Sequence, residues 1–358
     1  MNKPNRKILF LGETYRADAI TWMQGLEELG NFDIITCELN VSSKTFFKRS
    51  LRFFEYLFLI YKIRWLVKTE KPNIVIAERS TSYGFLASIS GAKIIIIAQQ
   101  GISDLWPEQS WLYFLKKKLQ QYAYKKATLL HAWGKVMVPA MKMANVHDNK
   151  IMIMPKGINL NYFKIDNTVS SDKIFAIVTR SLYAEYGHET ILSAFAIIKS
   201  KNIPFKLTIV GAGALLQHLR TLANELGIEK ETSFLGKIEN SLLPNYLSKQ
   251  NIYLSMPSTE GVSASLFEAM ATGCYPIVSD ILGNQFFVYH RENGQLVEVG
   301  NAKSLADEII WAFENPIYRK SAVQKNRVFV EQHANYHVNM NHISSYYHKL
   351  IDQQECAE

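Results

Sequence analysis

Residues 257–284, PSTEGVSASLFEAMATGCYPIVSDILGN, carry the side chains whose types and spacing point most directly to chemistry. Glu260 and Glu268 stand eight apart, the first in a polar turn and the second inside a helical stretch. Gly261, Ser263 and Ser265 lie between them. Small residues ahead of a helix leave the N–H groups at its positive end open to an anion. A carboxylate on each side is ill suited to a bare phosphate but suits a phosphate joined to sugars, because carboxylates accept from pairs of hydroxyls. The local chemistry is that of a nucleotide-sugar pocket. A plainer reading also fits: Ser265-x-x-Glu268 as a capping box, with Glu268 tied to a backbone N–H and Glu260 an exposed turn residue. On either reading Gly273 closes the helix and Pro276-Ile277-Val278 opens a buried strand.

The elements that must position these residues follow from length and patterning. At 358 residues, 48% of them hydrophobic and 20% charged, the chain is long enough for two globular domains with separate cores. Strands are predicted at Lys7–Leu11, Phe32–Thr36, Asn73–Ala77, Lys93–Ala98, Thr128–Ala132 and Lys150–Met154. A second series follows at Ile174–Thr179, Lys206–Val210, Thr232–Leu235, Ile252–Ser255, Ile277–Ser279 and Gln295–Val299. Short β-branched strands alternating with helical stretches imply parallel sheets covered on both faces. Pro155 to Phe163 and the polar run Asp166–Asp172 interrupt the alternation, which sets the expected division: 1–165, then 166–334, then a C-terminal helix in 335–358 that crosses back to the first domain. Two such units would form a cleft between them.

Ligands of open α/β sheets sit at the carboxyl ends of strands. In the first domain this selects the loops Gly12-Glu13-Thr14 and Gln99 to Asp104, including Gln100, although a plain surface turn fits either loop. In the second it selects Arg180, whose guanidinium suits a diphosphate or, more simply, a pairing with Glu185. Val210-Gly211-Ala212-Gly213 has Leu216 where a dinucleotide fingerprint needs its third glycine, so a tight strand-to-helix turn is its meaning. The chain contains no Asp-x-Asp, no His/Cys cluster at metal-ligand spacing and no Ser-His-Asp or Cys-His motif. Phosphate and hydroxyl recognition without a tightly held metal is the chemistry that remains.

Cys37, Cys274 and Cys356 are odd in number and far apart, which fits a reducing compartment and excludes a disulfide framework. The apolar run near the start is too short for a signal peptide, and no stretch is long enough to span a bilayer. The net charge of +8 is concentrated. Between 44 and 68, Lys44, Lys48, Arg49, Arg52, Lys62, Arg64 and Lys68 oppose only Glu55, interleaved with aromatic residues from Phe46 to Trp65. The stretch 111–126 repeats the pattern around Lys116-Lys117-Lys118. Such helices either contact an anionic membrane surface or pack on the sheet with a basic outer face. No nucleic-acid-binding motif accompanies the charge.

Taken together, PSTEGVSASLFEAMATGCYPIV resembles the Glu-x7-Glu block of the retaining GT-B glycosyltransferases of the GT4 family. Pro155-Lys156-Gly157-Ile158-Asn159, Arg180 through Gly187-His188-Glu189, Ile209 through Gly213 and Phe234-Leu235-Gly236 resemble that family's supporting segments. The motif likeness runs from about Met152 to Asn301, and the N-terminal half is similar in architecture only. The resemblance implies two Rossmann-like domains facing a cleft and transfer of a sugar from a UDP- or GDP-linked donor, with no metal and no other cofactor. The acceptor would be a glycan, a lipid-linked saccharide or another surface polysaccharide such as lipopolysaccharide, reached from the cytosol or the inner face of a membrane. Arg180 and Glu260 would be catalytic. Glu268, Gly261, Val262, Ser263, Ala264, Ser265, Leu266, Gly211, Gly236, Lys237 and Tyr186 would line the donor, and Gly12, Glu13, Thr14, Gln99, Gln100 and Asp104 the acceptor. Three positions depart from the pattern: Tyr186 replaces a lysine, Gly12-Glu13 a Gly-Gly turn, and Gln99-Gln100 a histidine. A nucleotide-sugar epimerase or hydrolase of the same fold, or a donor-binding subunit without catalysis, are the alternatives.

Overall fold

The computed structural model describes residues 6–39, 46–101, 112–165 and 172–357, with the backbone alone for 46–53. Asp104, Trp111, Lys44 and most of the polar run from Asp166 lie outside the described residues, as do the side chains of Phe46, Lys48, Arg49 and Arg52. The chain forms two compact units, Met1–Lys156 with His337–Glu358, and Gly157–Tyr336.

The first unit is a six-stranded sheet in the order β2-β1-β3-β4-β5-β6. Its strands are β1 (Arg6–Leu11), β2 (Phe32–Cys37), β3 (Ile74–Glu78), β4 (Ile95–Gln99), β5 (Leu129–Ala132) and β6 (Ile151–Ile153). Every pairing is parallel. β3 and β4 are buried along their whole length, which is why their sequences are continuous apolar runs instead of alternating ones. The connecting helices are α1 (Ala17–Glu28), α2 (Phe46–Glu70), α3 (Gly84–Ser88), α4 (Tyr113–Lys126) and α5 (Val138–Met143). The C-terminal helix Tyr336–Cys356 attaches through its middle. Tyr347 bonds the Nδ1 of buried His131 at 2.9 Å while the His131 Nε2 bonds the Met154 carbonyl at 2.8 Å. Burial pushes the His131 pKa down to about 4, so the ring is neutral and serves both contacts.

The second unit is also six-stranded, ordered β12-β11-β10-β7-β8-β9. Its strands are β7 (Ile174–Thr179), β8 (Phe205–Val210), β9 (Thr232–Gly236), β10 (Ile252–Ser255), β11 (Tyr275–Ser279) and β12 (Gln295–Val297), all parallel. α6 (His188–Ser200), α7 (Leu216–Glu225), α8 (Leu243–Leu247), α9 (Ala264–Thr272), α10 (Leu282–Gln285), α11 (Ala302–Glu314) and α12 (Pro316–His333) cover it. Strand alternation divides the core: Ile174, Ala176 and Val178 enter the cluster with α6 and α11, whereas Ile177 enters the one with α9. The unit begins at Gly157, earlier than the 165/166 boundary expected from sequence. The linker is structured: Ile158 N–H donates to Ala334 O at 2.8 Å, and Ile158, Leu160 and Phe163 are buried in the second cluster. Its Pro and Gly mark a turn ahead of that packing, not a loose tether.

In each sheet the strand order reverses once, between β1 and β3 in the first unit and between β7 and β10 in the second. Such a reversal opens a crevice at the carboxyl ends of the two strands. In the first unit it is occupied by Glu78, the last residue of β3, which is buried. Its Oε2 accepts the Glu13 N–H at 3.1 Å and its Oε1 the Gln100 amide at 3.1 Å. Burial lifts the Glu78 pKa from 4.5 to about 7, aided by Asp18 and opposed by the Glu13 N–H, Arg16 and Arg79. The folded unit therefore holds a proton that the unfolded chain releases between those two pH values, and stability falls as pH rises through that window. At roughly 1.4 kcal/mol per unit the loss reaches about 3 kcal/mol. Glu78→Gln removes it. Thermal melts should show the variant gaining roughly 5–10 °C on the wild type between about pH 5 and about pH 8; a difference that stays constant with pH overturns the assignment.

Candidate active site

The crevice of the second unit lies where Arg180 follows β7 and Glu260 follows β10. The structure brings the two together as an ion pair in which the guanidinium and carboxylate are only 11% and 17% exposed. Arg180 Nη2 donates to Glu260 Oε2, and Nη1 donates to the hydroxyls of Ser263 at 3.0 Å and Ser265 at 3.1 Å. The Tyr186 ring covers the guanidinium, its centroid 4.5 Å from Cζ. Burial works against the charge on Arg180, but Glu260, with Tyr253 and Tyr186, holds its pKa above the ordinary value. The simpler pairing with Glu185 is not made: that residue is exposed, and its backbone carbonyl accepts the Ser258 N–H at 2.9 Å.

The start of α9 corrects the capping-box reading. Ser263 is the N-cap, so the box position three residues on is Leu266, whose side chain is buried in the core. Ser263 makes no side-chain cap; its hydroxyl faces Arg180 and the Ser265 hydroxyl instead. The first N–H groups of α9, from Ala264, Ser265 and Leu266, are thus left without a side-chain cap beside the ion pair. Glu268 lies further along, half-buried, with its carbonyl accepting from Thr272 at 2.9 Å. Gly261 is buried and Val262 packs against the core cluster below α9. Gly273 ends the helix in the left-handed conformation, φ 90°.

Several neighbours that fix this geometry escaped the sequence reading. The hydroxyl of fully buried Tyr253 donates to Ser265 at 3.0 Å; burial raises its pKa, against the pull of Arg180, so it remains a donor. Gly283 in α10 backs the Glu260 loop, where an added Cβ would lie 2.2 Å from the Glu260 carbonyl oxygen. Asn284 anchors α10 by donating to Ser279 O at 2.8 Å, and the Ser279 hydroxyl donates to Pro257 O at 2.7 Å. Ser279, Gly283 and Asn284 were signalled only by lying within 257–284, and Tyr253 falls outside that stretch.

Gly211 has a different task from the donor contact expected of it. A Cβ there would lie 2.0 Å from the Arg180 carbonyl, and Leu182 N–H donates to Ala212 O at 3.0 Å. The Gly-Ala-Gly turn is the seat of the Arg180 loop. Gly236 ends β9 with its carbonyl accepting from the Gly211 N–H at 2.8 Å, and Lys237 beyond it is exposed. His188 is buried and donates through Nε2 to Ser181 O at 2.9 Å; burial, with Arg180 adding to it, lowers its pKa and keeps it neutral. Among the described residues no group of three or more His, Cys, Asp or Glu side chains is arranged to hold a metal.

In the first unit Gly12 packs on the Glu78 carboxylate. Glu13 pairs with Arg79 at 2.7 Å and Arg16 at 3.5 Å, while Thr14 donates to Glu38 through its hydroxyl at 2.7 Å. Gln99 is buried, held by Tyr124, and Gln100 bonds Glu78. Arg79 has φ 68°, a strained value for a residue with a side chain. Glu78 and Arg79 were missed because β3 was expected to stop at Ala77; a carboxylate closing a strand beside the switch point is the signal that would have found them.

Residues 162–329 match the family model described as glycosyl transferases group 1. An uncharacterized glycosyltransferase of Haemophilus influenzae is 29% identical over 154 residues, 42% of this chain and 43% of that protein, so the chain matches less than half of it. The UDP-Gal:alpha-D-GlcNAc-diphosphoundecaprenol alpha-1,3-galactosyltransferase of Escherichia coli is 26% identical over 274 residues, 71% of this chain and 69% of the relative. Among solved structures, HepE of Anabaena in complex with UDP is similar in fold, with a TM-score of 0.78 at 15% identity over 95% of this chain and 98% of that one. Residues 162–329, the segment that carries the ion-paired crevice, thus match the glycosyl transferases group 1 family model, and the two parallel-sheet units have the GT-B architecture.

Proposed function

We propose that the protein is a retaining glycosyltransferase that takes a UDP-linked sugar on its second unit and transfers it to a lipid-linked saccharide held by the first. The constellation of Arg180, Glu260, Ser263 and Ser265 at the β7/β10 switch point carries this reading. The N–H groups opening α9 and the Arg180 guanidinium supply positive charge for a diphosphate. Glu260 gives one carboxylate oxygen to Arg180, leaving the other for hydroxyls of the transferred sugar. Glu268 takes the ribose hydroxyls, and main-chain atoms at Gly236-Lys237 meet the base. UDP is favoured over GDP because the E. coli relative is named for UDP-Gal and the Anabaena protein was crystallised with UDP. A lipid-linked acceptor is favoured because the same relative is named for a diphosphoundecaprenol-linked one.

In the reaction the bond from the anomeric carbon to the phosphate oxygen breaks as one to the acceptor oxygen forms on the same face. The acceptor's proton passes to the departing phosphate oxygen, so the step needs no side-chain base. Arg180 stabilises the charge that develops on the diphosphate, and no metal is invoked because that charge already has a cation facing it. Gly12, Glu13, Thr14 and Gln100 form the acceptor side, with buried Gln99 held by Tyr124 behind them.

The α2 surface supports membrane-bound acceptor chemistry. Leu59, Ile63 and Leu66 are buried against the first unit. Phe54, Phe58, Tyr61 and Trp65, spaced by four, three and four residues, form one stripe on the opposite face and are 67%, 67%, 74% and 61% exposed. Exposed Lys62 and Lys68 flank that stripe, and α4 adds exposed Phe114, Leu115, Lys117 and Lys118. Among the described residues no helix is long and apolar enough to cross a membrane, so the proposed contact is peripheral, on the face of the membrane that meets the donor pool.

Two experiments test these assignments. Glu268→Ala should weaken UDP binding in calorimetry by about 1.5–3 kcal/mol, the range for a lost hydrogen bond to a charged group; unchanged affinity removes Glu268 from the ribose. Flotation with phosphatidylglycerol vesicles should carry the wild type upward and leave a Tyr61→Ser, Trp65→Ser double variant behind. Equal flotation with neutral phosphatidylcholine, or no effect of the substitutions, overturns the membrane assignment.

A further inference from the structure

Tyr186 stands where the resembling family places a lysine, the second cation on the diphosphate, so the second unit faces that charge with one cation fewer. The structure shows what the tyrosine does there. Its ring lies over the Arg180 guanidinium at 4.5 Å, while Ser263, Ser265 and Glu260 hold the edges of the same group. Arg180 Nε is buried and has no hydrogen-bond partner, so hydrogen bonds leave that edge of the guanidinium unheld while the ring covers its face. Among the described residues none hydrogen-bonds the Tyr186 hydroxyl; its backbone N–H donates to Tyr183 O at 3.1 Å, closing the turn that carries it. The turn is rigid for a reason of its own. Gly187 has φ 63° and sits where a Cβ would lie 2.3 Å from the Met256 carbonyl, pressing the Tyr186 segment onto the end of β10.

We propose that Tyr186 is a positioning residue that holds the Arg180 guanidinium flat against Glu260, Ser263 and Ser265, and that this fixed orientation substitutes for the missing second cation toward a nucleoside diphosphate. The inference rests on the donor reading above. A guanidinium stacked on a ring and pinned at its edges loses little freedom when a phosphate arrives, whereas a lone exposed arginine must be ordered first. A lysine at 186 would remove the ring and set a second positive charge beside Arg180. Such a substitution, which looks like a restoration, would here unseat the group that matters. Phenylalanine keeps everything the position supplies.

The test uses the full chain and UDP, which carries the leaving charge that the donor develops only as its bond breaks. In calorimetry Tyr186→Phe should bind UDP within about twofold of the wild type, while Tyr186→Ala and Tyr186→Lys should bind roughly tenfold or more weakly, the scale of a desolvated cation–π contact. In the ligand-free protein, nitrogen-15 NMR assigned with Arg180→Lys should show the Arg180 Nε–H signal shifted by the ring and slow to exchange. That signature should persist in Tyr186→Phe and vanish in Tyr186→Ala and Tyr186→Lys, with melting temperatures confirming folded variants. UDP binding by Tyr186→Lys as tight as or tighter than wild type overturns the proposal, as does an Arg180 signal indifferent to the ring. If the wild type binds no UDP, the donor reading fails separately, and the Arg180 signal still decides whether Tyr186 positions the guanidinium.

Discussion

The second unit is organised by one buried ion pair. Taking a guanidinium and a carboxylate out of water costs more than their attraction returns unless other groups satisfy the remaining hydrogen-bonding capacity. Two serine hydroxyls and an aromatic face supply most of that shell to Arg180, leaving its buried Nε without a hydrogen bond. The demand propagates outward. Two segments distant in sequence, the residues after β7 and the loop that runs from β10 into α9, must meet to within a few tenths of an ångström. That tolerance explains why the backbone comes so close at Gly211 and Gly283, where any side chain would strike a carbonyl. It also explains a buried tyrosine hydroxyl beneath Ser265 that has no reason to exist in a purely apolar core.

The elements were legible because parallel sheets covered on both faces impose long apolar strands at regular intervals. Ile174–Thr179 and Ile252–Ser255 were readable to the residue, and the others to within a few positions. The Glu260–Glu268 block was legible for the same kind of reason: acidic residues beside small ones at a helix start break the habits of both turns and cores. Strand order was not legible, because a list of strands does not say which neighbour each pairs with. Without it, Arg180 and Glu260 were two separate suggestions eighty residues apart, and their pairing could not be foreseen. The same gap hid Glu78, one residue past an expected strand end, and the true end of the linker, where Ile158 pairs back to Ala334.

The two units solve a common problem differently. Each sheet reverses its order once, and each places a carboxylate at the reversal. In the second unit Glu260 meets a cation directly and stays partly accessible. In the first, Glu78 is buried behind the loop it holds, and its partners are a backbone N–H and an amide instead of a guanidinium. For Glu78 those neutral donors leave burial in control, and the pKa rises toward neutrality. A carboxylate of the first kind is equipped to meet a ligand. One of the second kind is equipped to hold the loops around it.

Local rules of folding are broken at both reversals, and in a consistent direction. The N-cap serine of α9 spends its hydroxyl on an arginine, leaving the helix start uncapped. Arg79 adopts a left-handed backbone that costs a residue with a side chain about 1 kcal/mol or more. Each departure weakens the fold locally, and each leaves polar groups at the crevice with directions set in advance. A chain selected for stability alone would cap that helix and place glycine or asparagine at 79. Compromises of this kind at the carboxyl ends of strands flanking a reversal, absorbed by apolar layers on both faces of each sheet, are what is expected when binding geometry is fixed before the ligand arrives.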